Sequence, residues 1–187
     1  MSNHLPIQYP EYKNSTQTLI FGEVEAEIRD MIQYLVKHNK GKYFDRNEVF
    51  DKSIQAQRLK LLNDLRQCPS GLCLILKETI KYGVAYHHSG LTTEEREVVE
   101  RGYRTGALLV LVATSTLSTG INLPAKVVFF KQPLIAISLM DAAKYKQMSG
   151  RAGRTGFDTK GDSIMICNNM QKEYVLVIIS QGNYYRT

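Results

Sequence analysis

Residues Ala107-Leu-Leu-Val-Leu-Val-Ala-Thr114-Ser-Thr-Leu-Ser-Thr119-Gly-Ile-Asn-Leu-Pro-Ala125 form an apolar run that breaks into a hydroxyl-rich loop. The run 107–113 has the length and composition of a buried strand. Because ligands of open α/β sheets are held at the carboxyl ends of strands, we expect a phosphate or sugar to bind just after this strand. Thr114, Ser115 and Thr116 could donate to a phosphate there or cap a following helix.

Strands and helices alternate on both sides of this run. Helices are predicted after residue 21, over 45–67, over 72–81, after the Thr92–Glu95 capping-box pattern up to Gly106, over 141–149 and from about 171. Strands are predicted over 18–21, 84–86, 107–113, 126–131 and 163–167. The alternation predicts an α/β fold, a mostly parallel sheet with helices on both faces. Residues 1–16 are expected to be a linker or a tail of a preceding domain.

A second segment holds two arginines suited to phosphate binding, and its sequence is Gln147-Met-Ser-Gly150-Arg151-Ala-Gly-Arg154. We call it the arginine segment. Each guanidinium is a planar fork of donors that stays charged and matches phosphate geometry bidentately. The small residues around the two arginines leave room for a ligand or a neighbouring backbone. A dinucleotide-binding glycine pattern would need a strand before it, and a helix is predicted there instead. A glycine-rich turn with two solvated arginines is the alternative.

Charge and composition narrow the class of protein. The net charge is +6, and residues 126–160 hold seven Lys or Arg against two Asp. A polyanionic partner is therefore expected, with an ordinary solvated face as the alternative. The three cysteines form no paired C-x-x-C pattern, which favours a reducing compartment and argues against a metal site. No apolar stretch reaches the ~20 residues that span a bilayer, and no signal peptide is expected.

Together these segments resemble a known family. Val110–Ala125 and Gln147–Arg154 are similar to motifs V and VI of superfamily 2 helicases, and Tyr82–Thr92 is similar to the Ski-like branch. Tyr145–Met148 and Gly156–Ile164 most resemble the helicase Q and DNA polymerase theta helicase group. The resemblance implies that residues 17–187 form a helicase C-terminal domain of RecA-like fold, one lobe of a two-lobe P-loop motor.

The resemblance also implies roles for individual residues. Arg151 and Arg154 would be arginine fingers at the γ-phosphate of ATP, and Gln147 would help to place that phosphate. As fingers aimed at another lobe, the two arginines are expected to make few contacts within their own. The remaining positions are ATP-binding at Gly120, Asn122 and Gly150, and nucleic-acid-binding at Thr114, Ser115, Thr116 and His88.

The chain lacks the G-x-x-x-x-G-K-[ST] loop and the acidic residues after a strand that an ATP motor needs. We therefore expect it to be the second lobe, inactive alone, with ATP and Mg²⁺ held mainly by an N-terminal RecA-like lobe of the same protein. The implied partner is single-stranded DNA, in the nucleus, for a role in DNA repair. One alternative is an RNA helicase of the Ski type, and another is a non-catalytic nucleic-acid-binding or scaffold module. The location would be cytoplasmic instead if the protein were prokaryotic or an RNA helicase.

Two further features limit the roles that can be assigned, and the second departs from the family pattern. His87 and His88 are adjacent in a strand and therefore point to opposite faces, which makes them a poor metal or catalytic pair. We expect structural roles for both, with a strand contact by His88 as the alternative. Glu23 and Glu25 stand where motif IV usually contacts the strand, and two carboxylates would repel a phosphate backbone.

Overall fold

The computed structural model describes residues 17–22, 28–30, 33, 52–118, 122–135, 138–153 and 160–183. At residues 116, 118, 182 and 183 it describes the backbone only. Seven strands lie in these described residues. They are β1 (Thr18–Phe21), β2 (Val84–His87), β3 (Val110–Ala113), β4 (Val127–Phe130), β5 (Leu134–Ile135), β6 (Ser138–Leu139) and β7 (Asp162–Met165). Five of them form one sheet in the order β2-β3-β1-β4-β7, and every pair in it is parallel.

The helices alternate with these strands along the chain. They are α1 (Lys52–Gln67), α2 (Leu74–Ile80), α3 (Thr93–Arg104), a 3₁₀ helix (Ser115–Ser118), α4 (Ala142–Ser149) and α5 (Lys172–Asn183). Residues 28–30 and 33 are also helical. α1 packs against α3, α2 and α3 contact β2, and α4 packs against α5.

The core of the domain is built around the central strand β1. All residues of β1, β2 and β4 are buried, which requires cover on both faces of the sheet. The register places Phe21 between Ala113 and Phe130, and the rings of Phe21 and Phe130 stack with centroids 5.6 Å apart. The predicted α/β class, a RecA-like parallel sheet with helices on both faces, is confirmed.

The capping box predicted for α3 is present. Thr92 N–H donates to Glu95 Oε2 at 2.7 Å, and Glu95 N–H donates to Thr92 Oγ1 at 3.2 Å. The helix buries Val98, Val99 and Tyr103, and Gly106 follows it with φ of 81°. A left-handed φ is strained for residues with a Cβ, which explains the glycine.

Several predicted bounds were wrong. The run 107–113 becomes a strand only at Val110, because Leu108 N–H still donates to the Gly102 carbonyl of α3 at 3.0 Å. The first part of the hydroxyl-rich segment, Ser115–Ser118, is a 3₁₀ helix rather than a loop, closed by the bond from Leu117 N–H to the Thr114 carbonyl at 3.1 Å. The antiparallel β5-β6 pair was missed, since two-residue strands are too short for a periodic pattern.

Some sequence predictions lie outside the described residues. Among them are the 1–16 tail, the motif IV carboxylates Glu23 and Glu25, and the start of the 45–67 helix. Among the described helices, none combines the length and the apolar composition needed to cross a membrane. Within the same residues, no three His, Cys, Asp or Glu side chains are grouped so as to hold a metal ion.

Candidate nucleotide and nucleic-acid site

The hydroxyl-rich segment begins at the carboxyl edge of the sheet. Thr114 follows β3, and its N–H donates to the carbonyl of His87, the last residue of the neighbouring β2, at 3.3 Å. Thr114 and Ser115 are half-buried, whereas the Thr116 side chain lies outside the described atoms. The predicted location of this segment, just after an apolar strand at the edge where α/β proteins hold ligands, is therefore correct.

α4 carries the arginine segment at its carboxyl end. Asp141 caps the helix, with Oδ1 accepting from Lys144 N–H at 2.7 Å. The helix buries Tyr145 and Met148, and the Tyr145 hydroxyl lies 3.3 Å from Ser163 Oγ on β7. The opposite face is exposed and carries Lys144, Lys146 and Gln147.

The backbone after α4 is fixed against Ala125, just before β4. Ala125 N–H donates to the Arg151 carbonyl at 2.9 Å, and Gly153 N–H donates to the Ala125 carbonyl at 2.7 Å. Ala125 and Ala152 form an isolated parallel bridge. Gly153 has φ of 99°, a conformation that side chains with a Cβ rarely adopt. The arginine segment is thus an extra parallel partner of the chain that leads into β4.

The Arg151 side chain joins the two segments. Its Nη2 donates to the Leu117 carbonyl, in the 3₁₀ helix that follows Thr114, at 2.9 Å. The guanidinium is half-buried, and this burial lowers the pKa of Arg151 from its ordinary value. The expectation that Arg151 makes few contacts within its own lobe is therefore wrong. The arginine segment and the hydroxyl-rich segment, far apart in sequence, are in direct contact.

The structure describes only some of the other predicted site residues. Gln147, Gly150 and Asn122 are exposed. Gln147 and Gly150 lie at the end of α4 beside Arg151, where cations also complement the negative end of the helix dipole. Gly120 and Arg154 lie outside the described residues, so their roles remain predictions. The exposed cations Lys144, Lys146 and Lys160 give this part of the surface the positive charge expected for a polyanionic partner.

The two histidines have different partners, as the alternation of a strand predicts. His87 Nε2 lies 2.9 Å from Glu100 Oε1 of α3, and both side chains are buried. Burial lowers the pKa of His87, an effect that Glu100 opposes. The His88 ring stacks on Tyr86 with centroids 5.0 Å apart, and its Nδ1 accepts from Gly90 N–H at 3.0 Å. His88 is only 4% exposed, which favours its structural role over the strand contact.

Sequence reasoning missed the groups that bond to the arginine segment and to His87. The carbonyl of Leu117 and both backbone groups of Ala125 carry no side-chain signal, so nothing in the residue types could have identified them. Glu100 was detectable, because a carboxylate beside Val99 and one turn from Tyr103 lies on the buried side of α3. Such a residue needs a polar partner in the core, and His87 is that partner.

Comparison with known proteins matches residues 66–156 to the helicase conserved C-terminal domain. The chain is 46% identical over 129 residues to DNA polymerase theta of Mus musculus, covering 69% of this chain and 5% of that protein. It is 36% identical over 180 residues to helicase POLQ-like of Homo sapiens, covering 96% of this chain and 16% of that protein. It is 40% identical over 125 residues to ATP-dependent DNA helicase Hel308 of Caldivirga maquilingensis, covering 63% of this chain and 16% of that protein.

These alignments confirm the resemblance drawn from the motifs. The family match contains both the hydroxyl-rich segment and the arginine segment. The chain spans only 5% to 16% of the length of the three relatives named above. It belongs to the superfamily 2 helicases and carries their conserved C-terminal domain, in the group that includes DNA polymerase theta, helicase POLQ-like and Hel308.

Proposed function

We propose that residues 17–187 are the second motor lobe of an ATP-dependent DNA helicase that translocates on single strands. In this proposal the lobe supplies arginine fingers and strand contacts. An N-terminal RecA-like lobe of the same protein holds most of the ATP and the Mg²⁺. The chain alone lacks a phosphate-binding loop, so it does not hydrolyse ATP by itself.

The observation that carries the proposal is the hydrogen bond from Arg151 to the Leu117 carbonyl. It joins the segment proposed to contact ATP to the segment proposed to contact the strand. A motor must pass the state of its nucleotide to its grip on the strand, and a direct bond between the two segments provides the means. A scaffold module freed from ATP would have no need of two arginines at this spacing.

Each proposed role follows from the chemistry of the side chain. ATP, when bound between the lobes, supplies the phosphoryl group whose hydrolysis drives opening and closing. Arg151 and Arg154 donate to its phosphate oxygens and offset the charge that develops in the transition state. Gln147 donates from the exposed end of α4, Gly150 and Gly120 let the nucleotide approach closely, and Asn122 lies beside it. Thr114, Ser115 and Thr116 donate to strand phosphates.

The substrate is proposed to be DNA because relatives carry the names DNA polymerase theta and ATP-dependent DNA helicase Hel308. Backbone-directed motifs do not by themselves distinguish the two sugars. A DNA substrate and a role in repair place the protein in the nucleus of a eukaryote.

The test measures ATP hydrolysis by the full-length protein and by residues 1–187 alone, each with single-stranded DNA, with single-stranded RNA and without nucleic acid. The proposal expects DNA to stimulate the full-length protein more than RNA does, and the short chain to stay at background. Turnover by the short chain after rigorous purification would refute the half-motor assignment. Equal or stronger stimulation by RNA would refute the DNA assignment.

A further inference from the structure

Gly161 lies where the chain has no room for a side chain. It comes directly before β7 and packs on the backbone of Ala152 and Gly153. A Cβ at Gly161 would lie under 3.0 Å from three backbone atoms of these two residues, among them the Ala152 carbonyl oxygen at 2.7 Å. Backbone atoms cannot swing aside as a flexible side chain can, so any larger residue would have to move the main chain.

Ala125 and Lys126, which precede β4, bond to both of the segments that meet at Gly161. Gly153 N–H donates to the Ala125 carbonyl at 2.7 Å, and Asp162 N–H donates to the Lys126 carbonyl at 3.0 Å. The Lys126 ammonium also donates to the Lys160 carbonyl. Residues 152–153 and 160–162 are therefore bound side by side on Ala125 and Lys126, and the missing side chain of Gly161 lets them fit.

From this packing we infer that Gly161 is a positioning residue for the arginine segment. The inference rests on the proposed function, since it assumes that this segment acts at ATP. Gly161 acts through the backbone of Ala152 and Gly153, which lies between Arg151 and Arg154 in the chain. It does not itself contact the reacting atoms.

The direction of the displacement follows from the anchoring of the two partners. Gly161 leads into β7, which is paired with β4 through all four of its residues. Residues 152–153 have no strand pairing of that extent: Ala152 forms an isolated bridge with Ala125, Gly153 N–H donates to the Ala125 carbonyl at 2.7 Å, and Ala152 N–H donates to the Ser149 carbonyl at 2.9 Å. A Cβ at Gly161 would therefore displace residues 152–153 rather than the sheet. The nearest atom falls short of an ordinary 3.4–4 Å contact by more than about 1 Å.

A shift of about 1 Å in a catalytic group can lower a rate about 10²-fold. We therefore expect Gly161→Ala in the full-length protein to lower the kcat for DNA-stimulated ATP hydrolysis by about 10²-fold, with DNA affinity unchanged within about twofold. Gly71→Ala is the matched control, since Gly71 has φ of 71° but no heavy atom within 4 Å of an added Cβ. It introduces backbone strain without displacing the arginine segment, and its kcat should stay within about twofold of the wild type.

A double-mutant cycle with Arg154→Lys, measured under single-turnover conditions, separates positioning from loss of folded protein. If Gly161 acts through the arginines, Gly161→Ala will lower turnover far less in the Arg154→Lys background than in the wild type. Equal losses in both backgrounds, or a kcat of Gly161→Ala within twofold of the wild type, would overturn the inference. Near-normal turnover of Arg154→Lys alone would instead refute the proposed finger, so the two failures are distinguishable.

Discussion

Replacing Arg151 by alanine should destabilise the lobe itself, because this side chain is tied to its own fold. The bond from Nη2 to the Leu117 carbonyl is charge-assisted and 2.9 Å long, and Leu117 is fully buried. Hydrogen bonds to charged groups contribute about 1.5–3 kcal/mol, and the half-exposed guanidinium favours the lower part of that range. A loss of about 1.5–2 kcal/mol corresponds to a decrease of about 3–8 °C in Tm for a domain of this size.

Denaturant unfolding of residues 1–187 measures this loss directly. Lys144→Ala is the control, since it removes one positive charge from the exposed face of the adjoining helix α4. Its free energy of unfolding should stay within about 0.5 kcal/mol of the wild type. If Arg151→Ala were no less stable than Lys144→Ala, the bond to Leu117 would not hold the two segments together, and the coupling argument would lose its support.

Three further substitutions probe the surroundings of the site. Thr92→Ala removes half of the capping box and should cost about 0.5–2 kcal/mol in a thermal melt, whereas an unchanged Tm would contradict the cap. Because the folded pKa of His87 lies below its ordinary 6.5, the unfolded chain binds the extra proton as the pH decreases below 6.5. Stability should therefore decrease there, and urea titrations between about pH 5.5 and 7.5 should find a shallower decrease in His87→Gln. Thr114→Val should raise the DNA concentration for half-maximal ATP hydrolysis about tenfold, and an unchanged value would exclude a strand contact by its hydroxyl.

Much of the fold follows from local sequence patterns. The buried strands are nearly continuous apolar runs, as in Val127–Phe130, and the Thr92–Glu95 pattern fixes the start of α3. Strand and helix ends were less accurate, because Leu108 looks like a strand residue but its N–H still donates to the Gly102 carbonyl of α3. That difference depends on which carbonyl each backbone N–H bonds, and apolar residue types do not show it.

The site was only partly predictable for a similar reason. Residue types show that Arg151 can bind a phosphate, but they do not show that it also binds the carbonyl of Leu117, 34 residues away. Residue types likewise do not show that the backbone N–H and carbonyl of Ala125 bond to the arginine segment. Gly161 reads as an ordinary residue before a strand, and only the packing of Ala152 and Gly153 shows why a Cβ would not fit.

The central claim is that the arginine segment serves ATP hydrolysis, and Arg154→Lys in the full-length protein tests it most directly. Lysine keeps the charge but loses the planar fork, so DNA-stimulated ATP turnover should decrease by orders of magnitude, toward the ~10³–10⁵ that arginine fingers contribute. Arg66→Lys makes the same change at an exposed position of α1, and it should leave turnover unchanged. Near-normal turnover of Arg154→Lys, with DNA binding and folding intact, would contradict the account.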